Sequence, residues 1–258
     1  MQIDKMKKIG CCVKIKDIDY AIIQGVDYIE LPLSELVFDI KREKIISEII
    51  NRKISCNAVT KLLSNNIHIC FDDFYSKKVQ DYLEDAFYIM NKLGTNIAVF
   101  GNSKSRYILE NENFETHEKK MIMFCRELAR FAKRYDIIVG IEPLNTEQCN
   151  YINTLDDAAK IVEKVNHPNL KIVADYYHMN KQNENLESLY KYSNLICHIH
   201  TSELASRDFP NWDNDQKQLF KTLNSINYSG FISVETNNII PNKKLNNFIS
   251  HLKYDLPC

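Results

Sequence analysis

A chain of 258 residues that sets 33 Lys and Arg against 34 Asp and Glu, for a formal net charge of −1, makes no electrostatic case for a nucleic-acid groove or an anionic membrane surface. No apolar run approaches the roughly 18 residues of a membrane helix, and the N-terminal MQIDKMKKIG has too short an apolar segment, and no small-residue cleavage site, for a secretory signal. The eight cysteines (11, 12, 56, 70, 125, 149, 197 and 258) are scattered and never spaced C-x-x-C, so the expectation is a cytoplasmic protein whose cysteines are reduced, with Cys11 and Cys12 as structural residues of the first strand.

Strand and helix patterns alternate along the whole chain. The first strand is IGCCVKI, followed by a helical DIDYAIIQGV; YIEL is the second, followed by EKIISEIINR. The third begins at ISCNAV and leads into an irregular excursion, KLLSNNIHICFDD, before a long amphipathic helix, YSKKVQDYLEDAFYIMNKLG, with Gly94 as its C-terminal stop. NIAVFG is strand four. A long loop, NSKSRYILENENFET, separates it from the helix HEKKMIMFCRELARFAKRYD. Strand five, IIVGIE, precedes TLDDAAKIVEKV, a helix that Thr154 would cap. LKIVAD, LICHIH and FISVE complete the eight strands, with helices NLESLYKYS, DQKQLFKTLNSI and LNNFISHLKYDL after them. Eight strand–helix units predict a closed, single-domain (β/α)₈ TIM barrel over residues 1–258 rather than an open doubly wound sheet, since no Gly-rich phosphate fingerprint follows strand one. The long loops follow strands three, four, five and seven, all on one rim.

Four of those strands end in a residue that can bind a metal. Glu142, Asp175, His200 and Glu235 close IIVGIE, LKIVAD, LICHIH and FISVE, at spacings of 33, 25 and 35. A barrel of about 250 residues takes roughly 30 per unit, so the four belong to successive strands and share the C-terminal rim, where such barrels keep their chemistry. Three carboxylates and one imidazole there form a ligand set for a divalent cation. Each also has a plainer reading: a loop-start Glu, a helix-capping Asp. In phase together, they favour the metal.

Further candidates flank them. His178, three residues after Asp175, is placed to bind substrate oxygens or orient a ligand. His198 shares a face with His200 one layer deeper and reads as a hydrogen-bonded core or supporting His. Arg207, in the loop SRDFPNW, could grip substrate oxygens through its forked donors. Arg106 is open between binding substrate oxygens and being a solvated loop Arg, and Glu30 between facing the barrel mouth and a structural ion pair.

The motifs GIEPLN, ADYYHMN, HIHTSE and SVET, in this order, resemble those of the xylose-isomerase-like sugar isomerase and epimerase superfamily, with the tagatose/psicose 3-epimerase and hydroxypyruvate isomerase branch nearest in pattern. The resemblance spans strand one to strand eight. It implies one divalent cation, Mn²⁺, Co²⁺ or Mg²⁺ with Zn²⁺ as a further candidate, on Glu142, Asp175, His200 and Glu235, and substrate contact by His178 and Arg207. It also implies a homodimer or homotetramer. Two positions depart from the pattern. A second Glu expected six residues after the first is Gln148, and Arg207 follows His200 by seven residues where six is usual.

The implied activity is isomerisation or epimerisation of a sugar or sugar phosphate through a metal-bound enediolate, with Glu142 and Glu235 as the proton-transferring pair. Replacing a carboxylate by Gln148 and adding the charge of Arg207 would make the outer pocket less negative and admit a distal acidic or phosphate group. Three rivals use the same scaffold: a lyase that dehydrates a cyclic polyol ketone, a non-catalytic sugar-binding barrel, and an endonuclease IV-type nuclease. The last needs extra His ligands, and NWDNDQ and VFG supply none. The partner expected is therefore a small carbohydrate, with no nucleic acid and no membrane.

Overall fold

The computed structural model describes residues 7–237 and 240–255. Eight parallel strands close on themselves in sequence order: β1 (Ile9–Cys12), β2 (Tyr28–Pro32), β3 (Ser55–Thr60), β4 (Ile97–Phe100), β5 (Ile138–Ile141), β6 (Leu170–Asp175), β7 (Ile196–Thr201) and β8 (Phe231–Val234). The final pairing, β1 with β8 at Gly10 and Ser233, seals the barrel. The helices are α1 (Ile18–Ile23), α2 (Leu33–Val37), α3 (Arg42–Asn51), α4 (Lys77–Leu93), α5 (Phe114–Lys133), α6 (Leu155–Val165), α7 (Tyr176–Lys181), α8 (Glu187–Lys191), α9 (Asn214–Ser225) and α10 (Lys243–Asp255). Among the described residues, no helix is long and apolar enough to cross a membrane.

The alternation of strand side chains sorts the core into two parts. Ala58, Ile97, Val99 and Val173, with Cys197 and Phe231 against them, fill the barrel interior. The opposite strand faces join the buried stripes of the helices in one larger apolar layer. The helix stops read in the sequence form as expected. Gly94 takes the left-handed conformation (φ +68°) that ends α4, where a side chain would be strained. Thr154 accepts from the Asp157 backbone N–H, and the Asp157 carboxylate returns the bond, a reciprocal cap worth about 1 kcal/mol.

Two short helices, α2 and α7, were not legible as such. α7 lies within the ADYYHMN motif, and its aromatic residues Tyr176 and Tyr177 are buried. Helix α5 begins at Phe114, three residues before HEKK, because Asn113 accepts from the Thr116 N–H and so nucleates the turn earlier.

Candidate metal centre

Register delivers the four candidate ligands to one place. Asp175 and His200 are direct partners across β6 and β7. Glu142 follows β5 and its N–H bonds the Phe100 carbonyl of β4 at 3.2 Å; Glu235 follows β8 and bonds the Thr201 carbonyl of β7 at 3.0 Å. One ligand atom from each of Glu142, Asp175, His200 and Glu235 lies within 4.8 Å of the other three. Asp175 and His200 are almost wholly buried, Glu142 is buried, and Glu235 is the most open, with its side chain 24% exposed.

His200 is the hub. Its Nδ1 stands 2.9 Å from Glu142 Oε1 and 3.3 Å from Glu235 Oε2. Its Nε2 stands 3.2 Å from Glu30 Oε1, and the other Glu30 oxygen is 2.9 Å from His198 Nε2. Of the two roles open to Glu30, the structural ion pair is the one seen, with His198 and His200. Glu30 is fully buried beneath the centre and orients both imidazoles, as carboxylates commonly do behind a metal-binding His. Burial pulls the His200 pKa down, but Glu30, then Glu235, and the hydrogen bond that the imidazole donates to Glu142 outweigh it and hold the imidazole well above its ordinary range. Burial likewise works to raise Glu30, and the two histidines hold it well below the usual carboxylate range.

Asp175 is the helix cap that the sequence offered as its plainer reading, and it also stands in the candidate donor set. Its Oδ1 accepts from the Tyr177 and His178 N–H groups (2.8 and 3.3 Å) and caps α7, while its Oδ2 accepts from Arg207 Nη2 (2.8 Å). Arg207 is buried and spans the centre. It also donates to Glu235 Oε2 and to His178 Nε2 (2.9 Å), and its guanidinium lies over the Tyr177 ring, 4.7 Å from the centroid. The residue sits at φ +56°, held there by a turn in which the Glu203 carboxylate accepts from the Ala205 and Ser206 N–H groups (3.1 and 2.6 Å). Burial opposes the charge of Glu235, but Arg207 and then His200 keep its carboxyl below the usual range. His178 is fixed on its other side by the Asn145 side-chain amide, 2.8 Å from Nδ1.

Gln148 is not drawn in. It is exposed on the turn after β5, where its N–H bonds the Asn145 carbonyl at 2.9 Å, and among the described residues no side-chain bond ties it to the four. Arg106 is fully buried and structural. It donates to the Phe100 carbonyl at 3.0 Å and to the Glu142 carbonyl, so it braces the ends of β4 and β5 under Glu142.

Cys11 is buried as expected, but Cys12 is not a plain core residue. It pairs in register with Glu30, borders a cavity of about 100 Å³ beside Glu235, and comes near enough to Glu30 and His200 to share a metal with them. Lys14, Asp17, Glu35, Thr60 and Lys61 also line that cavity. The alternation of strand residues was the available signal: Cys12 ends its strand at the same rim as the acids.

The donor set fits a divalent cation. Oxygen-rich ligands with one imidazole suit Mg²⁺, Mn²⁺ and Co²⁺, and the histidine carries its supporting carboxylate; in this structure Arg207 supplies the positive charge between Asp175 and Glu235.

Comparison with known proteins places this arrangement. Over 120 residues the chain is 32% identical to a 3-dehydro-D-guloside 4-epimerase of Escherichia coli K12, an alignment covering 46% of each protein, so it spans under half of that relative. It is 24% identical over 236 residues to an inosose isomerase of Halalkalibacterium halodurans, covering 86% of this chain and 82% of that one. The structure of a D-psicose 3-epimerase with D-tagatose from Clostridium cellulolyticum H10 superposes with a TM-score of 0.81 at 19% identity, over 97% of this chain and all of that one, a likeness of fold. The family model described as the xylose isomerase-like TIM barrel matches residues 19–253, and the chain belongs to that family.

Proposed function

We propose that this chain is a divalent-metal-dependent sugar isomerase or epimerase. The observation that carries the reading is the convergence of Glu142, Asp175, His200 and Glu235 on one point of the C-terminal rim, open on the Glu235 side to a cavity. The names of the relatives, epimerases and isomerases acting on sugars and related polyols, support the reaction class.

Glu142, Asp175, His200 and Glu235 would hold the cation, which when bound supplies Lewis acidity to the carbonyl and adjacent hydroxyl of a substrate. The chain's own groups then move the proton. Glu142 and Glu235 are the two carboxylates placed to take a proton from the carbon beside the carbonyl and to return it, on the opposite face for epimerisation or to the neighbouring carbon for isomerisation. Glu142 is held rigidly by the bond between its carbonyl and Arg106 and by the room at Gly101; Glu235 is anchored by Arg207. His178, clamped between Asn145 and Arg207, would steady a substrate oxygen rather than exchange protons itself.

The substrate class we favour is a neutral sugar, with no phosphate. Arg207, which the sequence offered as an anion receptor, has its charge engaged by Asp175 and Glu235. The cavity's two lysines are matched by Asp17, Glu35 and Glu235. Incubating the Mn²⁺-loaded chain with a panel of ketohexoses and inososes, and resolving products by chromatography and mass, tests the class. Products isomeric with the substrate support it; products lighter by one water would establish the lyase instead.

A further inference from the structure

Away from the rim centre, three more metal-type donors meet. Cys70 lies in the loop after β3, Glu112 in the loop after β4, and His117 in the first turn of α5. Cys70 Sγ is 3.0 Å and Glu112 Oε2 is 2.9 Å from the same atom, His117 Nδ1. The three donor atoms lie within 4.8 Å of one another.

The other face of the imidazole decides how this can be satisfied. His117 Nε2 is 2.9 Å from the Arg106 backbone carbonyl oxygen. A carbonyl only accepts, so Nε2 carries the proton, and a neutral imidazole has a bare lone pair at Nδ1. That lone pair faces a carboxylate oxygen and a sulfur. The Cys70 thiol has one proton. Aimed at Nδ1, it leaves Nδ1 and Glu112 Oε2 as acceptor against acceptor at 2.9 Å; aimed at Glu112, it leaves Nδ1 facing two acceptors. A positive centre among the three atoms resolves both contacts: a proton on Nδ1, with the thiol turned to Glu112, or an ion bound by all three donors, which alone makes the sulfur a ligand.

We propose that Cys70, Glu112 and His117 form a second metal site, distinct from the rim centre, that takes Zn²⁺ or a similar borderline-soft ion. A thiolate, an imidazole and a carboxylate suit Zn²⁺ or Co²⁺ and do not suit Mg²⁺ or Ca²⁺. Binding replaces the Cys70 S–H bond with a sulfur–metal bond and releases that proton to solvent. The three protein ligands leave a fourth position for water on the side of Glu112, whose side chain is 12% exposed. The surroundings are those of a metal ligand. The Arg106 carbonyl fixes the His117 tautomer. Cys70 is held by its own N–H to His68 Nδ1 (3.2 Å) and by Lys120 Nζ on its carbonyl (2.8 Å).

A nucleophilic role for Cys70 does not fit. The thiol is buried, and burial with the nearby Glu112 carboxylate pushes its pKa up to about 12, so without an ion it stays protonated. The ion's role is to clasp the loop after β3 to the start of α5. That clasp is one hydrogen bond from Arg106, whose guanidinium holds the Phe100 and Glu142 carbonyls.

Co²⁺ is the probe, because thiolate-to-cobalt charge transfer gives a near-ultraviolet band only when sulfur binds. The full-length chain, stripped with chelator, is titrated with Co²⁺ and its stoichiometry measured by equilibrium dialysis. The wild type should bind two Co²⁺ per chain and show the band. Cys70→Ser should lose the band and one equivalent, while Cys197→Ser, at a cysteine in neither donor set, should keep the band and both equivalents. Glu112→Gln leaves the thiol in place and should weaken the sulfur-bearing site at least about tenfold. No band in the wild type, a band that survives Cys70→Ser or vanishes in Cys197→Ser, or unchanged affinity in Glu112→Gln overturns the site.

Discussion

Gly101 and Glu142 share one volume. A methyl group on Gly101 would stand 1.8 Å from Glu142 Oε2 and 3.0 Å from its Cδ, well inside any tolerable contact. The first residue after β4 must therefore lack a side chain for the carboxylate after β5 to lie where it does. The backbone of Gly101 is not in the left-handed region, so space alone sets the requirement.

Gly101→Ala should accordingly move the Glu142 carboxylate while leaving the barrel intact. A displacement of about 1 Å at a reacting group costs on the order of 10² in rate. We expect kcat to fall about that much with an almost unchanged thermal midpoint; a variant of full activity would separate Glu142 from the chemistry.

Glu30 is the buried carboxylate behind His200. Glu30→Gln keeps its size and removes the charge that orients both His198 and His200. Loss of such a partner weakens metal binding about 10–100-fold. Calorimetric titration with Mn²⁺ measures this directly, and unchanged affinity would make Glu30 purely a core residue.

Arg106 holds two buried carbonyls that have no water to turn to. Arg106→Ala leaves the Glu142 carbonyl without this donor and the Phe100 carbonyl with only the Glu142 N–H, at about 1–3 kcal/mol for an unsatisfied group. Urea unfolding should show a loss of at least about 1 kcal/mol, with Arg106→Lys falling between the variant and the wild type. An effect under a few tenths would mean that the strand ends are braced by something else.

The barrel was legible because its signals are local and repeated: eight short apolar runs, each followed by a helix period, with Gly94 and Thr154 marking boundaries that the structure confirms. The four rim residues were legible for the same reason, since a residue that closes a parallel strand has its position set by the strand. Residues whose role depends on another element were not. Arg106 and Glu30 acquire their meaning only when β4 meets β5 and β2 faces β7 across the interior, and nothing in GNSKSR or YIEL states that. Cys12 was read with its neighbour Cys11 as structural, although alternation along β1 puts the two on opposite faces. Gln148 was drawn in by a spacing counted along the chain, but the tight turn at Asn145 leaves it exposed.

The central claim is that Glu142 and Glu235 move a proton at the carbon beside a sugar carbonyl. The most direct measurement is proton NMR in D₂O of a ketohexose panel with the Mn²⁺-loaded chain, followed by removal of the paramagnetic ion. Proton transfer by this pair predicts deuterium at a carbon flanking the carbonyl of the substrate that turns over. It also predicts that Glu142→Gln and Glu235→Gln each slow that exchange by at least about 10², the lower end for removing a positioned acid or base. Exchange persisting at the wild-type rate in either variant, or no exchange and no isomeric product from any ketohexose, would contradict it.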